Sequence, residues 1–511
     1  MCRCVRLMAA AVVAVAGARP AAAQGGPTTL PAAEVARLAA RRTPWVQLFE
    51  ACRPSVVTVL VTRTADRARP LAAPSGGAGD GEGPNGPHVE RGSGFVIRSD
   101  GFVLTVAHVL RRGGACKVYL DDGRGFLADV VARDDSMDVA VLKIDSRDIF
   151  QPLRLGRSDD LMVGEATAVL GNPFGFGLSL GPGVITGLER KTKTDFTYLG
   201  NVIQTDAGIN PGMSGGPLVN AFGEVIGMAV SRREDAMGIG FATAIEVIRA
   251  ALPQVVAPEQ RYGFVLGIEA TPGLAARVLR VAPGSPAEEA GVRADDVITA
   301  IDGKALRSGI DFYLALVGRA GGQKVRLRLL RGEKRVVTTV TLGSVPLQPA
   351  VEPGAVAEGL DFELFRGRWD SLPDFARLKP AATRVAPAFA LGDGAGQDGF
   401  ALRFRGYVRV PADGVYAFYL KSDDGSRLHL GERLVVDNDG THPSRERRGF
   451  AALKAGLHPV TVTYFETVGE EELVVSYEGP GVDKQPIPTA ALCRPKPQPK
   501  PAPAPTTQPG G

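Results

Sequence analysis

The sequence predicts a mainly β protein built from three folded units, and three observations carry that expectation. The 64 glycines and 38 prolines among 511 residues favour turns and short strands over helix bundles. Apolar, β-branched runs such as SVVTVLV and HPVTVTYF recur between turn-forming stretches, the pattern of strands. The length also exceeds what one core serves, at roughly 100–200 residues per domain. Hydrophobic residues at 44% and charged residues at 22% are ordinary globular usage.

From the N-terminus, Arg3 and Arg6, the apolar run 7–16 and Ala21-Ala22-Ala23 before Gln24 read as a secretory signal over residues 1–23. The alternative is a retained anchor, but the run is short for a bilayer, and no membrane span is expected after cleavage. A periplasmic or secreted protein follows. Removing Arg3, Arg6 and Arg19 takes the formal net charge from +4 to +1, which excludes the basic footprint of a nucleic-acid binder. Cleavage also leaves Cys52, Cys116 and Cys493, an odd set without zinc spacing. A Cys52–Cys116 bridge and buried free thiols remain equal readings.

Residues 24–50 form an N-terminal segment with helical spacing of apolar residues over 31–50, after which CRPSVVTVLV switches to a strand. That strand opens a domain spanning 51–254, interrupted by a Gly-, Pro- and Asp-rich loop at 65–86. A second unit covers 260–343. A Pro-containing linker at 344–357 joins it to a third unit at 358–490, and a Pro-rich tail at 491–511 is expected to be extended and disordered.

Acyl transfer by serine needs a base, a buried acid to orient it and donors for the oxyanion. Of five histidines only His88 and His108 precede the third unit, and His88 falls in the polar loop GPNGPHVERGSG. His108 follows the strand–turn–strand GSGFVIRSDGFVLTVAHVL. Asp138 opens the alternating strand in RDDSMDVAVLKID, while Asp134 and Asp135 stay in the preceding turn. Ser214 lies in QTDAGINPGMSGGPLVN, whose glycines allow a tight turn aiming the N–H groups of Gly212, Met213 and Ser214 at one developing charge. His108, Asp138 and Ser214 are therefore the candidate catalytic triad. The order His, Asp, Ser is that of the chymotrypsin-type double β-barrel.

The segments GSGFVIRSDGFVLTVAHVL, DDSMDVAVLKI, AVLGNPFGFG and NPGMSGGPLVN, in this order, resemble the HtrA/Deg family of trypsin-like serine proteases. Met213 stands where that family usually has Asn, and GFATAI replaces its Gly-Phe-Ala-Ile-Pro. The resemblance implies a pocket whose base is Gly208, followed by Ile209. No carboxylate stands there to pair Lys or Arg, so small or medium aliphatic P1 residues are expected. It also implies a homo-oligomer, a trimer resting on the segment around Trp45 and Phe49, although an amphipathic helix packed on its own barrel accounts for those aromatics as well.

RVLRVAPGSPAEEAGVRADDVITAIDGKAL resembles the PDZ α/β domain such proteases carry, with Asp295 at a turn where Gly is usual. Val265-Leu266-Gly267-Ile268 would be its carboxylate-binding loop, taking peptide C-termini through backbone N–H groups, with a helix near 311–317 as the other wall. GLDFELFRGRWDSLPDF, GVYAFYLKSDDGSRLHLGERLVVDNDG and LVVSYEGPG resemble the PA-fourteen (protective-antigen-type) β-sandwich. The sugar-binding adhesins of that family use an adjacent Asp pair on Ca²⁺. Asp423 and Asp424 supply such a pair, with Asp437 and Asp439 in a second loop, though Asp-Asp-Gly is also ordinary turn chemistry.

The expected fold is thus mainly β: a chymotrypsin-type double β-barrel, a PDZ domain and a β-sandwich. The expected function is an endopeptidase for misfolded or exposed polypeptides. It needs no cofactor for proteolysis, captures peptide ends and has a C-terminal domain for carbohydrate or cell-wall glycans. The alternative is a non-catalytic adhesion or scaffold protein displaying peptide- and sugar-binding modules.

Overall fold

The computed structural model describes residue 37 and residues 39–62, 89–111, 114–194, 197–232, 238–391, 398–469 and 471–496. The expected signal segment, the loop at 65–86, His88 and the tail beyond 496 lie outside the described residues. The chain divides into units Met1–Gln47 and Leu48–Gly511, and the second holds all the sheets. Helix α1 (Pro44–Cys52) has Leu48 and Cys52 buried and Trp45 and Phe49 half-buried.

Two closed antiparallel barrels follow, as the order His, Asp, Ser predicts. The first joins β1 (Val56–Thr62), β2 (Val89–Arg98), β3 (Phe102–Thr105), β4 (Ala115–Leu120), β5 (Gly125–Asp134) and β6 (Val139–Ile144) in the order β1-β2-β3-β6-β5-β4. The second joins β7 (Ala166–Gly171), β8 (Ser179–Lys193), β9 (Tyr198–Thr205), β10 (Pro217–Asn220), β11 (Val225–Arg232) and β12 (Gly240–Ala244) in the order β10-β11-β12-β9-β8-β7. Closure leaves no sheet edge for another chain to pair with. Strands such as β3 (FVLT) are buried on every residue, hence continuous apolar runs where a half-exposed strand would alternate.

Helix α2 (Ile245–Val256) buries Ile245, Ile248, Leu252, Val255 and Val256. It stops at Ala257, whose left-handed φ of 40° turns the chain into the short α3 (Pro258–Tyr262). Beyond it the PDZ sheet runs through Ile268–Ala270, Ala276–Val281, Val297–Ile301, Lys324–Arg331 and Lys334–Thr341. It is flanked by α4 (Pro286–Glu289) and α5 (Gly309–Ala315), the latter begun by a Ser308/Asp311 capping box. Its core gathers Phe264, Leu266, Ile298, Phe312 and Leu327. Asp295 takes φ 68°, the left-handed turn position expected of it.

The third domain packs an eight-stranded sheet on a four-stranded one. Tyr416, Phe418 and Leu420 of the smaller sheet share a core with Leu402, Phe404, Val462 and Tyr464 of the larger. The sandwich is longer at both ends than expected. Leu492–Pro495 is a strand paired with Val356–Glu358 and Phe400–Val410, so the fold passes the expected boundary at 490. The stretch expected as a linker holds the first two residues of Val356–Glu358 and bridges to the sandwich at Gln348–Leu453 and Val351–Leu457. Prolines permit extended backbone at a sheet edge, and the buried Leu492 supplies the apolar contact.

The smaller sheet also meets the protease domain. Lys484 Nζ lies 2.7 Å from Asp135 Oδ2 and 2.6 Å from Glu446 Oε1, largely out of solvent. Burial alone would raise the Asp135 carboxyl, but the Lys484 and Arg133 charges hold it below its usual range. Arg448 donates to the Val255 carbonyl at 2.6 Å and to that of Gln254, and Arg261 of α3 pairs with Glu478 at 2.6 Å.

Candidate active site and peptide groove

The acid is presented by a turn that folds on itself. Asp134 Oδ1 accepts from the N–H groups of Ser136 and Met137, both at 3.0 Å, and the chain then enters β6 through Asp138 at φ 53°. Asp138 is 1% exposed and uses both oxygens on one residue. Oδ1 accepts from the His108 N–H at 2.8 Å, and Oδ2 lies 2.7 Å from His108 Nδ1. An ionised carboxylate only accepts, so a neutral imidazole held this way carries its proton on Nδ1 and keeps a lone pair on Nε2. Backbone and ring are thus oriented by one buried group.

The nucleophile loop is held from behind by the first barrel. The Ser93 N–H donates to the Ser214 carbonyl at 2.8 Å, Ser93 Oγ donates to the Gly212 carbonyl at 2.7 Å, and the Asn172 N–H donates back to Ser93 Oγ at 2.9 Å. Gly212 sits at φ 92°, where an added Cβ would lie 2.5 Å from the Asn172 carbonyl oxygen, so the turn demands glycine. Among the described residues the N–H groups of Gly212 and Ser214 have no hydrogen-bond partner, whereas that of Met213 donates to the Asn210 carbonyl at 2.9 Å. The expected set of three oxyanion donors is therefore cut to two, because the Met213 N–H is spent inside the loop on Asn210. The Met213 side chain is 1% exposed and packs in the second-barrel core with Val169, Ile185 and Leu218. Ser214 Oγ donates to the Val230 carbonyl at 3.4 Å.

Of the two pocket residues, Gly208 is exposed and an added Cβ would meet open space. Ile209 turns inward, 6% exposed in the second-barrel core, so its side chain is packed away from the surface on which Gly208 lies.

In the PDZ domain, Val265 pairs with Gly343 in a two-stranded ribbon and anchors the loop instead of facing its groove. Gly267 takes φ 83°. The Leu266 and Gly267 carbonyls accept from Ala287 (3.0 Å) and Ala282 (2.9 Å), leaving both N–H groups facing the carboxylate of Glu259. Ile268 begins the strand along the groove.

In the third domain the Asp pair is absorbed by backbone. Asp424 is 4% exposed and accepts from the His442 and Thr467 N–H groups at 3.0 and 3.1 Å, while Asp423 accepts from the Ser444 N–H at 2.9 Å. Asp437 and Asp439 both pair with Arg427. Ca²⁺ takes six to eight oxygens, and no group of three or more His, Cys, Asp or Glu among the described residues could hold a metal ion. These residues do not fit a Ca²⁺ cage. Among the described residues Cys52, Cys116 and Cys493 are buried free thiols, with burial pushing Cys52 up to about 11 and Cys116, by burial and then the Asp129 charge, up to about 12.

Sequence reasoning passed over Ser93, Asn172 and Glu259. Ser93 was in plain view within GSGF, but a serine between glycines carries no signal of its partners.

Known families match each unit: a trypsin-like peptidase domain at residues 92–228, a PDZ domain at 277–331 and a PA14 domain at 390–490. The periplasmic pH-dependent serine endoprotease DegQ of Escherichia coli (strain K12) is 33% identical over 340 residues, covering 61% of this chain and 74% of that protein. A probable periplasmic serine endoprotease, DegP-like, from Chlamydia trachomatis is 35% identical over 51% of this chain, and the chain spans 55% of its length. The solved HtrA-type protease AlgW with a decapeptide is 28% identical, covering 60% of this chain and 99% of that one at a TM-score of 0.36. Because the match to DegQ extends over 74% of that endoprotease, the chain belongs to the HtrA/Deg family of trypsin-like serine endoproteases.

Proposed function

We propose that His108, Asp138 and Ser214 cleave misfolded or otherwise exposed polypeptides by acyl transfer. The observation that carries this reading is the buried Asp138 carboxylate gripping both the backbone and Nδ1 of His108. Ser214 Oγ attacks the scissile carbonyl as its proton passes to His108 Nε2. The oxyanion takes hydrogen bonds from the Gly212 and Ser214 N–H groups, and His108 returns the proton to the leaving amine. Water, activated by the same imidazole, then releases the acyl group. The lack of a carboxylate at Gly208 and Ile209 favours small or medium aliphatic P1 side chains.

The PDZ domain captures peptide C-termini, and the sandwich docks on the protease through Lys484 and Arg448. Ca²⁺ and glycan binding by that sandwich rest on family resemblance alone, since its Asp carboxylates are taken up by backbone N–H groups and Arg427; calcium titration with a glycan array tests them, and no heat with no retained glycan would leave docking. The relatives named above as periplasmic favour the periplasm or secretion. A trimer through the Trp45–Phe49 segment would appear in sedimentation as three times the protomer mass.

Casein digestion by the mature chain beside its Ser214→Ala variant tests the catalytic reading. The substitution should lower turnover by several orders of magnitude, on the order of 10⁶, and equal digestion would sink it.

A further inference from the structure

We propose that the Glu259 carboxylate is a built-in occupant of the PDZ loop, competing with peptide C-termini for the Leu266 and Gly267 N–H groups. The inference rests on the reading of residues 265–268 as a carboxylate-binding loop. The Leu266 N–H donates to Oε2 at 3.0 Å, and the Gly267 N–H is shared between Oε1 and Oε2 at 3.3 Å each. A terminal carboxylate would meet the same two donors in the same two-oxygen fashion.

The loop is shaped for an anion whether or not Glu259 is present. Gly267 holds the left-handed turn, and an added Cβ would overlap Ser285. Glu259 sits on the five-residue α3, bounded by left-handed residues at both ends, Ala257 and Gly263. Arg261 ties that helix to Glu478, so rotation of the Glu259 side chain alone is what would vacate the loop. Among the described residues no basic side chain pairs with the Glu259 carboxylate. Burial pushes its carboxyl above the usual range despite the two N–H donors, so the contact is kept at a desolvation cost.

The adjoining groove is also closed by the chain's own groups. Ile268, Ala270, Phe312 and Leu316 form one wall of a cavity of about 760 Å³ that runs past Glu259 to Asp134 of the acid turn and Arg448 of the sandwich. The Tyr313 hydroxyl donates to the Ala270 carbonyl at 2.6 Å and accepts from the Ala270 N–H at 3.2 Å. These are the edge groups an added strand would use. An incoming terminus with an apolar last residue must displace Glu259 at the loop and Tyr313 along the edge. Its apparent affinity falls by the fraction of molecules whose loop is vacant.

The test is a fluorescence-anisotropy titration of the full mature chain, carrying Ser214→Ala to prevent cleavage, with a short labelled peptide ending in Leu. The peptide is used as the free acid and as its C-terminal amide. Glu259→Ala should bind the acid about tenfold more tightly than the parent, as for a loop filled roughly nine-tenths of the time, with the amide unchanged. Glu259→Gln, which keeps the side-chain shape and removes the charge, should fall between them. Unchanged acid affinity in both variants, with acid still preferred over amide, would overturn the inference and leave the PDZ reading standing. Equal binding of acid and amide by every variant would overturn the PDZ reading and the inference together.

Discussion

The loop before Ser214 and the loop before Ile268 use the same device. A glycine at positive φ, Gly212 at 92° and Gly267 at 83°, turns neighbouring N–H groups to one side. Each loop is also held from behind, the first by Ser93 and the second by Ala282 and Ala287. They differ in front. The Gly212 and Ser214 N–H groups face no protein acceptor among the described residues, while those of Leu266 and Gly267 face Glu259. Backbone support therefore makes an anion site, and a side chain from a neighbouring element decides whether that site is ready or must first be vacated.

Exchanging each glycine for alanine tests the separation most strongly. Gly212→Ala forces Cβ against the Asn172 carbonyl and should lower kcat by about 10²–10³, the range for loss of an oxyanion donor, with little change in KM. Gly267→Ala should abolish peptide-end binding yet leave cleavage of a short amidated substrate within about twofold, since no oxyanion donor is touched. If Gly267→Ala slowed that substrate as much as Gly212→Ala, the two loops would not be independent.

Ser93 is a positioning residue, and its removal probes the support behind the open site. Ser93→Ala leaves the Gly212 carbonyl and the Asn172 N–H without their shared partner. We expect kcat to fall by about 10–10², the equivalent of roughly 1–3 kcal/mol for a buried unsatisfied group, with KM nearly constant and the circular dichroism spectrum retained. A lower melting temperature with kcat intact would make Ser93 structural only.

The smallest effect is expected at a third meeting of carboxylate and backbone N–H. Glu466 accepts from the Asp424 N–H at 3.0 Å and from the Tyr464 hydroxyl at 2.9 Å. Burial first, then the Asp424 charge, pushes its carboxyl from 4.5 up to about 7. A folded pKa above the unfolded one means that the native state holds a proton the unfolded chain releases. The stability from this group is complete below about 4.5 and is lost as pH rises through about 7. Glu466→Gln should therefore melt close to the parent at pH 4.5 and a few degrees above it at pH 8. A gap that does not widen with pH would mean that the carboxylate is held in its charged form.

Much of the site was legible before any coordinates. His108, Asp138 and Ser214 were picked out by residue type, chain order and surrounding turns, and the structure brings His108 and Asp138 to 2.7 Å. The donor set was legible only as a turn. That Met213 spends its N–H on Asn210 follows from the direction each amide takes in a loop clamped from outside. The Asp423–Asp424 pair was open between a ligand set and turn chemistry for a related reason: adjacency in sequence does not say what the carboxylates face, and His442, Thr467 and Ser444 each bring an N–H to them.

The sequence by itself determined the mainly β class, while chain order and family resemblance pointed to the double barrel, the PDZ domain and the sandwich. Strand alternation, left-handed glycines and turn chemistry act over a few residues and survive in any context. Only the tertiary structure decided what each local feature faces. Ser93 and Gly212 are 119 positions apart, and Lys484 and Asp135 are 349 apart, so these contacts exist only once whole domains have packed. Glu259 lies just seven positions from Leu266, yet its contact was equally invisible. The direction of its side chain depends on how α3 is pinned between the protease helix and the PDZ sheet, an orientation that no local pattern encodes.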